Sequence, residues 1–169
     1  FVEEAGEVLS ALLVHLAAQG WPVAGDWLVA VEGTSARPFP NRLRVGLRAL
    51  DRLSGRTAQV VRSSPRIPGW FDQPTFAIDP SDFGRPWRLT QKVVRHVVIV
   101  NDNHGGLSQL KSLKWEIAFE EIFKALLLPK EGRARAFAEV RSLLSQAQCW
   151  RLTAGNLDKA ERYLHQLPR

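Results

Sequence analysis

The chain has 169 residues, 45% hydrophobic and 24% charged, which suffices for one packed domain and is too apolar for a disordered segment. A single cysteine, Cys149, excludes an internal disulfide framework and a cysteine-based zinc site, and no apolar run approaches the roughly 18 residues of a membrane helix. The net charge of +6 is uneven: residues 1–36 carry −5, residues 37–66 carry +7 from eight arginines against Asp51, and residues 67–169 carry +4.

The apolar positions Val8, Leu9, Leu12, Leu13 and Leu16 recur at the helical period and predict a helix over 2–18, stopped by Gly20 and Pro22. His15 falls among them, the place of a packed or hydrogen-bonded histidine rather than a ligand. Glu3, Glu4 and Glu7 precede this stretch, whereas a signal peptide needs a positive start, so the expected location is intracellular, cytoplasmic or nuclear. The sequence opens on Phe1 and contains no methionine, which reads as a segment of something longer. Residues 26–33 are short, apolar and bounded by Gly25 and Gly33, the pattern of a buried strand.

Residues 41–54 admit two readings. As a helix, Asn41 caps the start, Gly55 follows the end, and Leu43, Leu47, Leu50 and Leu53 share a face opposite Arg44, Arg48, Asp51 and Arg52. As a strand, Leu43, Val45, Leu47 and Ala49 alternate with Arg42, Arg44, Gly46 and Arg48, and 51–55 forms a hairpin turn. The helix also places Leu50 and Leu53 and is preferred. Residues 57–63 read as a strand in either case. Residues 64–91 hold five of the ten prolines among Trp70, Phe71, Phe76, Phe83 and Trp87. They form a long loop whose aromatics plug onto the core or line a binding surface.

Residues 93–100 are the clearest strand, rich in β-branched side chains, followed by a turn over 101–106. A helix is predicted over 107–128, ended by Pro129. Its apolar stripe shifts partway, from Leu110, Leu113 and Ile117 to Trp115, Phe119, Ile122 and Leu126. The last forty residues predict a helical hairpin, with Phe137, Val140, Leu144 and Ala147 on one helix and Leu157, Ala160, Leu164 and Leu167 on the other. Gly155 and Asn156 punctuate the two, and Cys149 beside Trp150 is expected to be a buried structural thiol.

These elements predict an α/β fold: a small, mainly parallel sheet of three to four strands (26–33, 57–63, 93–100), flanked by helices, with a C-terminal helical hairpin. The class becomes α+β if 42–62 is a β-hairpin. The expected organisation is a domain over 1–128, with the 64–91 loop, and the hairpin of 129–169 packed on it.

Two local patterns resemble known families. The order strand, Glu32-Gly33, helix, strand, loop, strand, Asn101-Asp102-Asn103, helix resembles the Toprim arrangement of topoisomerases, primases and related nucleases. There a Glu-Gly closes the first strand and an Asp-x-Asp a later one, and the acids hold Mg²⁺ for phosphoryl transfer. The resemblance spans 26–128 and implies Glu32 and Asp102 as metal ligands. Asn101 and Asn103 replace the two aspartates, which implies a degenerate, metal-free version. The segment from Gly155 to Leu164 is similar to the second helix of a tetratricopeptide unit, which implies a docking surface for another protein.

No other chemistry is written in the chain. His15, His96, His104 and His165 lack metal-ligand spacing, and no phosphate-loop or nucleophile-elbow motif occurs. The expectation is a non-catalytic component of a larger intracellular assembly, with no catalytic residue, no cofactor and no membrane partner. It would bind protein through Trp150, Tyr163, Leu164 and Leu167, and nucleic acid or another anionic partner through Arg42, Arg44, Arg48, Arg52 and Arg56. The alternative is a Toprim-like, metal-dependent nucleic-acid enzyme using Mg²⁺ at Glu32 and Asp102.

Overall fold

The computed structural model of the chain describes residues 2–26, 29–39, 41–68, 74–84, 90–125 and 132–168. Trp70, Phe71 and Trp87 of the expected loop lie outside these ranges, as do Trp27 and Leu28 of the expected first strand. The described residues form six α-helices and three small three-stranded sheets.

Helix α1 (Val2–Ala18) lies at the centre of the main core. Val8, Ala11, Leu12, Val14, Leu16 and Ala17 are buried, so the helix is covered on more than one side. Against it packs a sheet ordered β3 (Leu43–Val45), β5 (Pro74–Ile78), β4 (Arg66–Pro68), antiparallel throughout. Leu43, Val45, Phe76 and Ile78 fill the interface. The one-turn helix α2 (Leu47–Leu50) and helix α3 (Gly55–Ser63) close this side with Ala49, Leu50, Ala58 and Val61.

A second sheet is ordered β7 (His96–Asp102), β9 (Gln148–Ala154), β8 (Gln109–Leu113). β7 runs parallel to β9, with His96 opposite Gln148 and Asp102 opposite Ala154, whereas β8 is antiparallel to β9. Both faces are covered, which is why 97–100 is continuously apolar. Side chains alternate with the two-residue strand period. Val98, Val100, Leu110, Leu152 and Ala154 face α1 and helix α6 (Leu157–His165). Val97, Ile99, Leu113 and Cys149 face helices α4 (Trp115–Ala125) and α5 (Arg133–Gln146), where Ala118, Val140, Leu143 and Leu144 complete a second core.

The third sheet is ordered β1 (Val29–Glu32), β2 (Ser35–Pro38), β6 (Lys92–Val93), antiparallel. Gly33, at φ +57°, makes the tight β1–β2 turn, and its N–H donates to Glu139 Oε2 on α5 at 2.7 Å.

The expected mainly parallel sheet is therefore corrected: β7 with β9 is the parallel pair, and the other strand pairings among the described residues are antiparallel. Residues 57–63 belong to helix α3, because Ala58 and Val61 meet the core at helical spacing. Residues 41–54 are neither one helix nor a β-hairpin. Leu43 and Val45 enter the core from a strand, Leu50 from the turn of helix after it, and Leu53 from the connection to α3. Within the expected helix over 107–128 lie β8 and then α4, with a strand–helix boundary at Lys114; residues 126–128, Leu126 among them, lie outside the described residues.

The C-terminal helical hairpin is likewise corrected. Strand β9 separates α5 from α6 and takes the middle of its sheet, because Cys149 reaches one core while Leu152 and Ala154 reach the other. The Toprim-like order also fails to form. Glu32 and Gly33 lead through a hairpin into β2 rather than into a helix.

Candidate anion-binding cleft

Strands β7 and β9 are parallel neighbours, and their carboxyl ends lie side by side at Asp102 and Ala154. Such ends are where α/β arrangements leave a crevice. Past β9 the chain turns at Gly155 and Asn156 into α6. The buried Ser108 hydroxyl accepts from the N–H groups of Gly155 (3.1 Å) and Asn156 (2.9 Å) and donates to the Asn156 carbonyl (2.9 Å). The Asn156 side chain caps α6 by accepting from the Lys159 N–H at 3.0 Å.

A cleft of about 450 Å³ opens at this turn. Its walls are the end of α1 (His15, Ala18, Gln19), the α2–α3 connection and first turn of α3 (Arg52, Leu53, Ser54, Arg56, Thr57), Phe83, and the start of α6 (Asn156, Leu157, Asp158). Two helices thus begin in its lining. The N-cap of α3 is Ser54, whose side chain makes no capping hydrogen bond. The first N–H groups of a helix have no partner within it, and the aligned peptides place a partial positive charge of roughly half a unit there.

Two arginines stand in the lining, one of them already paired. Arg52 pairs with Asp102, and its side chain keeps only 8% of its surface exposed. Arg56 is exposed and has no ion-pair partner among the described residues. His15 is 8% exposed, and its Nε2 lies 3.0 Å from Glu161 Oε2 and 3.6 Å from Asp158 Oδ1. The Trp21 indole N–H donates to the other Glu161 oxygen at 3.1 Å. His15 is thus the packed, hydrogen-bonded histidine of the sequence reading, and it also forms part of a cleft wall.

Of the five arginines singled out in the sequence, Arg52 and Arg56 meet in the cleft. Arg42, ahead of β3, and Arg48, on α2, are exposed elsewhere. Arg44 is half-buried on β3, where its backbone N–H donates to Asp26 Oδ2 at 2.6 Å. The sequence pattern does not mark Ser54, Thr57 or Asn156 as site residues. The signal was present in Ser54 and Asn156, each a capping type one residue before a helix start, but 57–63 read as a strand hid the first of them.

The protein-binding candidates divide. Tyr163 and Leu164 pack against the main core. Leu164 and Leu167 also line a second, more apolar groove of about 480 Å³ with Trp21, Pro22, His96 and His165. The Trp150 indole N–H donates to His96 Nδ1 at 3.2 Å, and since indole can only donate, Nδ1 carries no proton. His96 Nε2–H then donates to the Pro168 carbonyl at 2.6 Å, which ties the C-terminal segment to β7.

The metal candidates lie in different sheets. Glu32 is exposed in the β1–β2 hairpin, and Asp102 faces Arg52 at the end of β7. Among the described residues no group of three or more His, Cys, Asp or Glu is placed to hold a metal ion, and no helix is long and apolar enough to cross a membrane. Burial pushes the Cys149 thiol above its ordinary value, so the thiolate a nucleophile needs is disfavoured there. No protein-family model, no curated protein and no solved structure matches this chain.

Proposed function

We propose that the chain is a non-catalytic, nucleic-acid-binding component of a larger assembly, and that the cleft between α3 and α6 takes a phosphate of the bound strand. The observation that carries this reading is the meeting of two helix N-termini with Arg52 and Arg56 in one polar cleft. Backbone N–H groups and guanidinium forks are the two donor types best matched to phosphate oxygens. The +7 charge of residues 37–66 supports it, with Arg42 and Arg48 also exposed. The apolar groove at Leu164 and Leu167 supports the second half of the reading, a protein partner at the C-terminal face.

The test is the salt dependence of binding to a fluorescent single-stranded oligonucleotide. Each phosphate neutralised contributes roughly 0.7 to the log–log slope on a single strand. The double variant Arg48→Gln, Arg56→Gln is expected to lower the slope by up to about 1.4 with the fold intact by circular dichroism. Salt-independent binding, or no binding at low salt, would remove the basis of the proposal.

A further inference from the structure

We infer that the cleft is a pocket for a strand end: it receives the terminal nucleotide of a single strand, with the terminal phosphomonoester at Arg56 and the start of α3. This rests on the nucleic-acid reading above and narrows it to one ligand group.

The first argument is size. About 450 Å³ falls within the roughly 300–1,000 Å³ of pockets that hold one small ligand, which suits a nucleotide and not a passing duplex. The second is charge. A terminal phosphomonoester carries roughly −1.5 to −2 at neutral pH, whereas a phosphodiester within the strand carries a single negative charge. The cleft sets Arg56 and two helix N-termini against Asp158, Arg52 being paired with Asp102.

The third argument is the rest of the lining. Phe83, half-buried at the end of the 3-10 turn Pro80–Phe83, packs against the main core and lines the cleft together with Leu53 and Leu157. Nucleobases stack on such rings regardless of sequence. Gln19 supplies an exposed amide group of the kind that pairs with base edges. The His15 side chain is also nine-tenths buried in this lining. Its Nε2 is engaged by Glu161. One cleft therefore combines a phosphate end and an aromatic side chain.

The experiment compares three ten-nucleotide single strands of one sequence, bearing a 5′-phosphate, a 3′-phosphate or hydroxyls at both ends, by anisotropy competition at fixed salt. One phosphorylated end is expected to bind at least tenfold tighter than the hydroxyl strand, and which end it is assigns the strand polarity. That advantage is expected to disappear in Arg56→Gln, an exposed position that leaves the packing untouched, and to shrink severalfold in Phe83→Leu. Equal affinity of the three strands with the salt slope retained overturns the strand-end pocket and leaves the broader proposal standing. No binding of any strand at low salt overturns both.

Discussion

Asp26 shows how one residue can carry an electrostatic cost inside this fold. Burial raises its pKa above the ordinary aspartate value, and the Arg44 N–H donated to Oδ2 and the Arg44 charge only partly offset this. Its Oδ1 is buried without a hydrogen-bond partner. In the pH window just above the ordinary value, the folded protein therefore holds a proton that the unfolded chain has released. Its stability falls as pH rises through that window. The wild-type protein should lose stability relative to Asp26→Asn as pH is raised from 3 to 7, read as urea midpoints of the two proteins. A wild type that gains on the variant over this range would reverse the sign and refute the assignment. Trp150 and His96 work by a different rule at the same scale, since the hydrogen-bond roles alone determine which imidazole nitrogen is protonated.

Among the elements, strand β9 and its junction with α6 decide the cleft's geometry. Gly155 sits against the 103–106 turn so closely that an added Cβ would overlap the Gly106 carbonyl and come within 2.9 Å of the Asn103 carbonyl oxygen. Both obstacles are backbone, so neither can move aside as a side-chain end could. Gly155→Ala is expected to cost about 3 kcal/mol, the upper part of the usual overpacking range, and to loosen the start of α6. Chemical denaturation measures the first effect and hydrogen exchange at Lys159 N–H the second. An unchanged midpoint would mean that the junction is not as tight as described. The same junction explains an expectation that failed. Gly155 and Asn156 do punctuate the chain, but between a strand and a helix, not between two helices.

For the whole molecule, the two cores are joined through one sheet. β9 sends Cys149 into the α4–α5 side and Leu152 and Ala154 into the α1 side. Leu144 and Leu152 are both fully buried, one in each core. Leu144→Ala and Leu152→Ala should each cost about 2–5 kcal/mol and should each shift a single unfolding transition. Two separate transitions, one per variant, would show that the cores unfold independently.

Much of the local structure could be read from residue patterns. The apolar spacing of α1, the β-branched run of β7 and the α4 stripe of Trp115, Phe119 and Ile122 all follow from patterns within a few residues. The candidate site was half legible. Charge counting pointed to the arginine block, and Arg52 and Arg56 within it reach the cleft. Ser54 and Thr57 were hidden because 57–63 is short enough to fit either a strand or a helix, and only the surface it packs on distinguishes them.

By itself, then, the sequence determined where the charge lies, where the chain turns and which short runs are apolar, because these depend on neighbours in the chain. Tertiary structure decided the rest. Segment 148–154 alternates well enough for a strand and is amphipathic enough for a helix, and it becomes a strand because β7 and β8 leave a slot between them. Arg52 is a surface residue by type, yet it is buried because Asp102, fifty positions away, stands beside it at the end of a strand. Strand pairing and charge pairing join residues remote in sequence, and no local pattern records which remote segment will be there.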